Sequence, residues 1–333
     1  MASKLFVTFL IFSQLGQWIF IGWWLLWQKE NDELSISPST QSEKSSSTTA
    51  CPTHATIPST NPSHSIDSAD VKQFLEFNQN QSLHRFRQNA LALTNADLFY
   101  SYLPHIWCPS TVRVGGLEDG GKWVCNPWHL RHATEQCLVY SVGVGFNLKF
   151  DQVLIKDYSC KVYAFDPDPM AKRTVERAGV EGIAYYPWAV IGGANGRRAP
   201  LQKPIGDILT RFNHYRLDIL KVDVEGGEFD IFDSFLKDGQ PLVPVCQILI
   251  EVHTWDVTKW RRMFRQLERA KFYMFSREVN ILGFGNKLEK IAVEYSYIHE
   301  TCLHRFGLDR APIFFNFPPD DFTFESGTPV VPL

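Results

Sequence analysis

Four acids and one histidine stand where chemistry would need them. Asp166 follows the apolar run VYAF, Asp223 and Glu225 follow LDILKV, and Glu251 and His253 close ILIEVH. Asp223 and Glu225 are two residues apart, so they share a side if the strand continues through them. A carboxylate or an imidazole there can take a proton from a hydroxyl nucleophile, which makes Asp223, Glu225 and His253 the catalytic candidates. The plainer reading makes Glu225 a helix cap and His253 a hydrogen-bonded core residue.

A second constellation lies upstream. Leu138 to Val142 runs into Gly143-Val144-Gly145, and Asp166 stands 23 positions beyond Gly143. Glycines after a strand let the backbone turn sharply and a ligand approach. An acid about 20 residues on is spaced to accept hydrogen bonds from ribose hydroxyls. Leu148 replaces the third glycine of the dinucleotide fingerprint. The pattern therefore favours a nucleoside without a pyrophosphate, and S-adenosylmethionine is such a ligand.

These residues need a sheet to hold them. Strands are expected at Leu138 to Val142, Lys161 to Phe165, Ile183 to Val190, Asp218 to Val222, Val245 to Val252, 272–278 and 289–297. Helices are expected after Asn147 and over 168–178, 226–237 and 256–270. Alternating strands and helices give a mostly parallel sheet, and strands dense in Ile, Leu and Val are buried on both faces. Ligands then bind beyond the strands' carboxyl ends, where strand order reverses.

The N-terminus carries a different signal. After a short tail (1–4), residues 5–27 contain no charged residue and span roughly 30 Å as a helix, the thickness of a bilayer core. Trp23, Trp24 and Trp27 crowd one end, as aromatic belts do. No small-x-small cleavage site follows, so an uncleaved signal anchor is expected, with membrane as the partner of this segment. Residues 28–66, rich in Ser, Thr and Pro, read as a disordered stem open to O-glycosylation. Residues 67–135 read as a cap region and 136–333 as the main domain. The arrangement expected is a single-pass type II protein with its domain in the lumen of the Golgi or endoplasmic reticulum. The sequon Asn80-Gln81-Ser82 agrees with that face.

A net charge of −3 gives no electrostatic reason to expect nucleic acid. Seven cysteines without a CxxC pair argue against a structural zinc site, and no metal is assigned. Cys108 and Cys125, flanking a glycine-rich loop, are the expected disulfide. Cys137, Cys160 and Cys246 are expected as buried free thiols.

Taken together, VYSVGVGFN, VYAFDPDP, DILKVDVEGGE and ILIEVH resemble the FkbM-type methyltransferases. DGGKWVC and FSREVN bring the chain nearer to the animal methyltransferase-like proteins that carry this domain behind an anchor. The resemblance spans about 100–316. It implies a Rossmann-like class I methyltransferase with a seven-stranded, mostly parallel α/β sheet, helices on both faces and an antiparallel last strand. It places S-adenosylmethionine around Ser141, Gly143, Gly145 and Asp166, with Asp223 near the methyl donor. Ser141 stands where such enzymes often have an acid, which leaves affinity lower or the task to another acid. O-methylation of a glycan, small-molecule or protein acceptor is what the resemblance implies. The rivals are a lumenal glycosyltransferase, with Asp166-Pro167-Asp168 as its metal-binding motif, and a non-catalytic binding module on the same fold.

Overall fold

In the computed structural model the strand candidates become one sheet. Residues 81–317 are described, apart from 118, 132–134, 194–198, 254–255 and 281–291. The expected anchor at 5–27, the stem at 28–66 and the sequon at Asn80 lie outside them. Among the described residues no helix is long and apolar enough to cross a membrane.

The elements are α1 (Asn95–Ser101), β1 (Thr111–Val114), β2 (Lys122–Cys125), β3 (Leu138–Val142), α2 (Lys149–Tyr158), β4 (Lys161–Phe165), α3 (Pro169–Ala178), β5 (Ile183–Tyr186), α4 (Ile205–Phe212), β6 (Leu217–Val222), α5 (Glu228–Phe235), β7 (Val245–Val252), α6 (Val257–Arg269), β8 (Phe272–Asn280) and β9 (Ala292–His299). Seven strands pair in the order β8-β9-β7-β6-β3-β4-β5. All pairs are parallel except those of β9, which runs antiparallel to both β7 and β8. Strand order reverses between β3 and β6, so the tips of these two strands frame the crevice.

Period-two alternation sorts the core onto two faces. Tyr140, Val142, Phe165, Leu220, Val222, Ile248 and Ile250 pack with α4, α5 and α6. Val139, Val162, Ala164, Ile219 and Leu249 pack with α2 and the β1–β2 hairpin. Helix starts are fixed locally. Asp168 caps α3 by accepting from the Met170 amide at 2.7 Å, with Pro169 next in line. Asp256 caps α6 in the same way.

Two expectations change. The strand expected over Ile183 to Val190 stops at Tyr186, before Pro187, which has no amide hydrogen for the ladder. Ala189–Ile191 pairs instead with Gln202–Pro204 in a separate two-stranded sheet. Residues 111–125 of the region read as a cap pack on the main sheet. Its hairpin is clamped to β7 by a two-way bond in which the Gln247 side chain pairs with both the amide and the carbonyl of Cys125, each at 2.9 Å.

The second change concerns sulfur. Cys108–Cys125 is a disulfide, as expected, but Cys137–Cys160 and Cys246–Cys302 are disulfides too, rather than free thiols. Parallel register explains the first correction. Leu138 pairs with Lys161, so the residues just before them lie side by side at the feet of β3 and β4. The antiparallel register of Gln247 with Ile298 likewise carries Cys246 toward the turn after β9. Peptide mapping without reductant should recover three cross-linked pairs. Recovery of unmodified Cys137 or Cys160 would contradict the pairing.

Candidate active site

The glycine turn and Asp166 form one unit. Asp166 Oδ2 accepts from the Val144 amide at 2.9 Å and the Gly145 amide at 2.8 Å, and its Oδ1 accepts from the Asp168 amide at 2.8 Å. A carboxylate has about four acceptor positions, so three are committed to backbone and about one faces a ligand. Asp166 thus builds the turn as well as facing the crevice, a narrower role than gripping both ribose hydroxyls.

The two glycines serve different needs. Both have positive φ, +78° at Gly143 and +60° at Gly145. A Cβ on Gly143 would lie 1.6 Å from the Asp223 carbonyl oxygen, because the tips of β3 and β6 meet there. A Cβ on Gly145 would meet nothing within 4 Å, so that position borders open space. Gly143→Ala combines left-handed strain with a backbone clash and should cost about 3 kcal/mol in chemical denaturation. A cost near zero would show that the strand tips separate freely.

Ser141 lies beneath the turn, fully buried. Its hydroxyl does not reach the crevice. It stands beside Asp151 of α2, whose carboxyl is raised by burial, an effect that Lys221 and Ser141 partly offset. The Lys221 ammonium donates to the Gly143 carbonyl and stands 3.6 Å from Asp223 Oδ2. The acid missing at position 141 therefore has a buried counterpart on the adjacent helix, under the turn rather than in the cleft.

Asp223, Glu251 and His253 come together beyond β6 and β7. His253 Nε2 lies 3.8 Å from Asp223 Oδ1, 3.6 Å from Glu251 Oε1 and 3.8 Å from Glu225 Oε2. Glu225 does not share a face with Asp223 as an extended strand would require. Strand β6 stops at Val222, Glu225 has φ +56°, and its side chain is 85% exposed. The chain must turn at once to start α5, and this left-handed residue makes the turn.

Four residues that sequence reasoning passed over complete the cluster. Lys122 Nζ, from β2, donates to Glu251 Oε2 at 2.6 Å and Glu294 Oε1 at 3.0 Å, and stands 3.4 Å from Asp223 Oδ2. Asn280 Nδ2 donates to Glu251 Oε1 at 2.8 Å. Glu228 Oε1 accepts from the Val224 and Gly226 amides at 3.3 and 3.1 Å and pairs with His253 Nδ1 at 2.9 Å. The signals were present: a lysine inside the four-residue strand KWVC, and a glutamate inside the otherwise uncharged strand AVEYSYIH. Only the fold shows that they meet.

The electrostatics follow from these contacts. Burial opposes charge on Glu251, yet the His253 ring 3.6 Å away and donors from Lys122 and Asn280 hold its carboxyl well below the usual range. Burial lifts Glu294, and the nearby Glu251 charge adds to it, to about 7 despite Lys122. Burial works against an imidazolium at His253, but the bond to Glu228, the nearby Glu251 carboxylate and the Asp223 charge raise it to about 10. The expected general base therefore already holds its proton at neutral pH in this arrangement. The two acids of the glycosyltransferase-like motif are occupied as well, Asp166 with the glycine turn and Asp168 with the start of α3.

Strand order β5-β4-β3-β6-β7 with the antiparallel β9 inserted before β8, a glycine turn tied to the acid after β4, an acid just beyond β6 and another at the end of β7 define a Rossmann-like methyltransferase. The chain belongs to the family described as methyltransferase domain, whose model matches residues 61–299. S-adenosylmethionine is the methyl donor of that family. Probable methyltransferase-like protein 24 of Rattus norvegicus is 24% identical over 160 residues, 43% of this chain and 43% of that one. Its Homo sapiens counterpart is 24% identical over 159 residues, 42% of each. The alignments thus span less than half of those relatives' own length. Among solved structures, the human methyltransferase 10 domain containing protein matches 56% of this chain and 76% of its own at 12% identity, with a TM-score of 0.33. The Methanococcus jannaschii fibrillarin pre-rRNA processing protein matches 50% and 67% at 16% identity, with a TM-score of 0.34.

Proposed function

We propose that the chain transfers a methyl group from S-adenosylmethionine to an oxygen acceptor, within a lumenal domain tethered by residues 5–27. One observation carries the donor site: the Asp166 carboxylate is bonded to the Val144 and Gly145 amides at the crevice between β3 and β6, with open space beside Gly145. Transfer from a sulfonium is an in-line displacement on an activated carbon, so the protein mainly aligns the reactants and excludes water. Asp223, whose side chain is 18% exposed, and Glu225, at 85%, are the carboxylates of the cluster most open to solvent. They orient the acceptor hydroxyl and receive its proton, with His253 Nε2 standing 3.8 Å from each.

Three disulfides support the lumenal face, since such bonds persist in oxidising compartments. An endoglycosidase shift that vanishes in Asn80→Gln would agree with it. A full chain with no such shift and with free thiols would contradict it.

Titration calorimetry of the full chain with S-adenosylhomocysteine, without added metal, tests the donor site. Stoichiometric binding is expected. Binding of a sugar nucleotide with manganese, together with no S-adenosylhomocysteine binding, would favour the glycosyltransferase and overturn the proposal.

A further inference from the structure

We infer that Asp223, Glu251 and His253 form a binding site for one divalent first-row cation of the manganese or zinc type, beside the donor site. Each of the three offers a ligand atom, and these atoms lie within 4.8 Å of one another. The sequence alone assigned no metal here, because the three come from two strand ends 28 residues apart and only the parallel pairing of β6 with β7 joins them.

The division of labour among oxygens carries the inference. Lys122 takes Glu251 Oε2 and Asp223 Oδ2. The other oxygen of each carboxylate, Glu251 Oε1 and Asp223 Oδ1, faces His253 Nε2 at 3.6 and 3.8 Å. Neither gap is a hydrogen bond. Ligand atoms about 2.1 Å from a shared ion stand roughly 3 to 3.5 Å apart, so a small closure seats one. The far side of the ring is fixed independently. Nδ1 is bonded to Glu228, a fully buried carboxylate that also accepts two backbone amides. A histidine anchored through one nitrogen by a carboxylate presents the other as a ligand, with its tautomer set.

A further observation points the same way. Glu228 Oε2 and Glu294 Oε2 are buried and have no hydrogen-bond partner among the described residues. Glu294 pairs across the sheet with Glu251, so both project to one side. The acids Asp223, Glu225, Glu228, Glu251 and Glu294 outnumber their partners Lys122, Lys221 and Arg113, as a site built for a further cation would. One imidazole with two carboxylates suits manganese or zinc better than an all-oxygen magnesium site. Glu225 Oε2, exposed and 3.8 Å from Nε2, can swing in as a further ligand. Binding releases the Nε2 proton to solvent. The remaining positions face the crevice and can hold water or an acceptor oxygen. That last role rests on the methyl-transfer reading, whereas cation binding does not.

The test uses the purified full chain stripped by chelator, then dialysed against Mn2+ or Zn2+ in separate experiments. One equivalent of at least one ion should be retained and should raise the unfolding temperature. His253→Gln and Asp223→Asn should each weaken binding at least tenfold, and Glu228→Gln about tenfold through loosened orientation. S-adenosylhomocysteine binding by His253→Gln shows that the variant is folded and keeps the two readings separate. Retention of neither ion by the wild type overturns the site and leaves the donor site standing. Retention unchanged in folded His253→Gln and Asp223→Asn also overturns it, because the ion is then held elsewhere.

Discussion

Asp166→Ala is expected to weaken S-adenosylhomocysteine binding by at least about 100-fold, or about 3 kcal/mol. The substitution removes three hydrogen bonds to the side-chain carboxyl group, two of which shape the glycine turn. The Val144 and Gly145 amides would then turn to water or to each other's carbonyls, and the turn would lose its fixed form. Asp166→Asn keeps the outline and one acceptor oxygen, so its loss should be smaller, about tenfold. Calorimetry reads both, with thermal unfolding run beside it to confirm that the variants fold. A folded Asp166→Ala protein that binds with wild-type affinity would remove the donor site from this crevice.

Lys122→Met should lower folding stability by about 3–5 kcal/mol, the range for removing one partner from a buried ionic cluster. Lys122 is fully buried and stands among Asp223, Glu251 and Glu294. Without the ammonium, the cross-strand neighbours Glu251 and Glu294 are left with the more distant His253 and Arg113, 3.6 and 3.7 Å away. The damage should reach function as well, since the hairpin strand that carries Lys122 also reaches β7 through Gln247. Adding Glu251→Gln to Lys122→Met should recover part of the loss, because the pair then leaves with its charges roughly matched. Urea unfolding of the two single variants and the double variant measures this coupling. A loss under about 1 kcal/mol in Lys122→Met would mean that water reaches the ammonium's place and solvates the acids.

Much of the frame could be read from residue order. Apolar runs at 138–142, 161–165 and 245–252 became strands with the expected bounds. The reason is that a strand buried on both faces leaves no polar alternation to misread. Helix α3 was legible from Asp168 and Pro169, because capping is a local interaction. Helix α4 was passed over, since its eight residues carry a short signal and its start has no side-chain cap. Glu225 leaves the side of Asp223 because the strand on which that sharing depended stops at Val222 and the chain reverses into α5.

The site divides in the same way. Gly143, Gly145, Asp166, Asp223 and His253 stand at strand ends, and strand ends are marked by where hydrophobicity stops. Sequence alone therefore determined the fold class and the edge of the sheet at which ligands bind. Tertiary structure decided which charges meet there. Lys122 arrives from a hairpin 101 residues before Asp223, Glu294 from an antiparallel strand 43 residues after Glu251, and the two extra disulfides from strand register. Such contacts follow from the order and direction of strands across the sheet, which no local pattern encodes, because each strand's own residues are equally content beside any apolar neighbour.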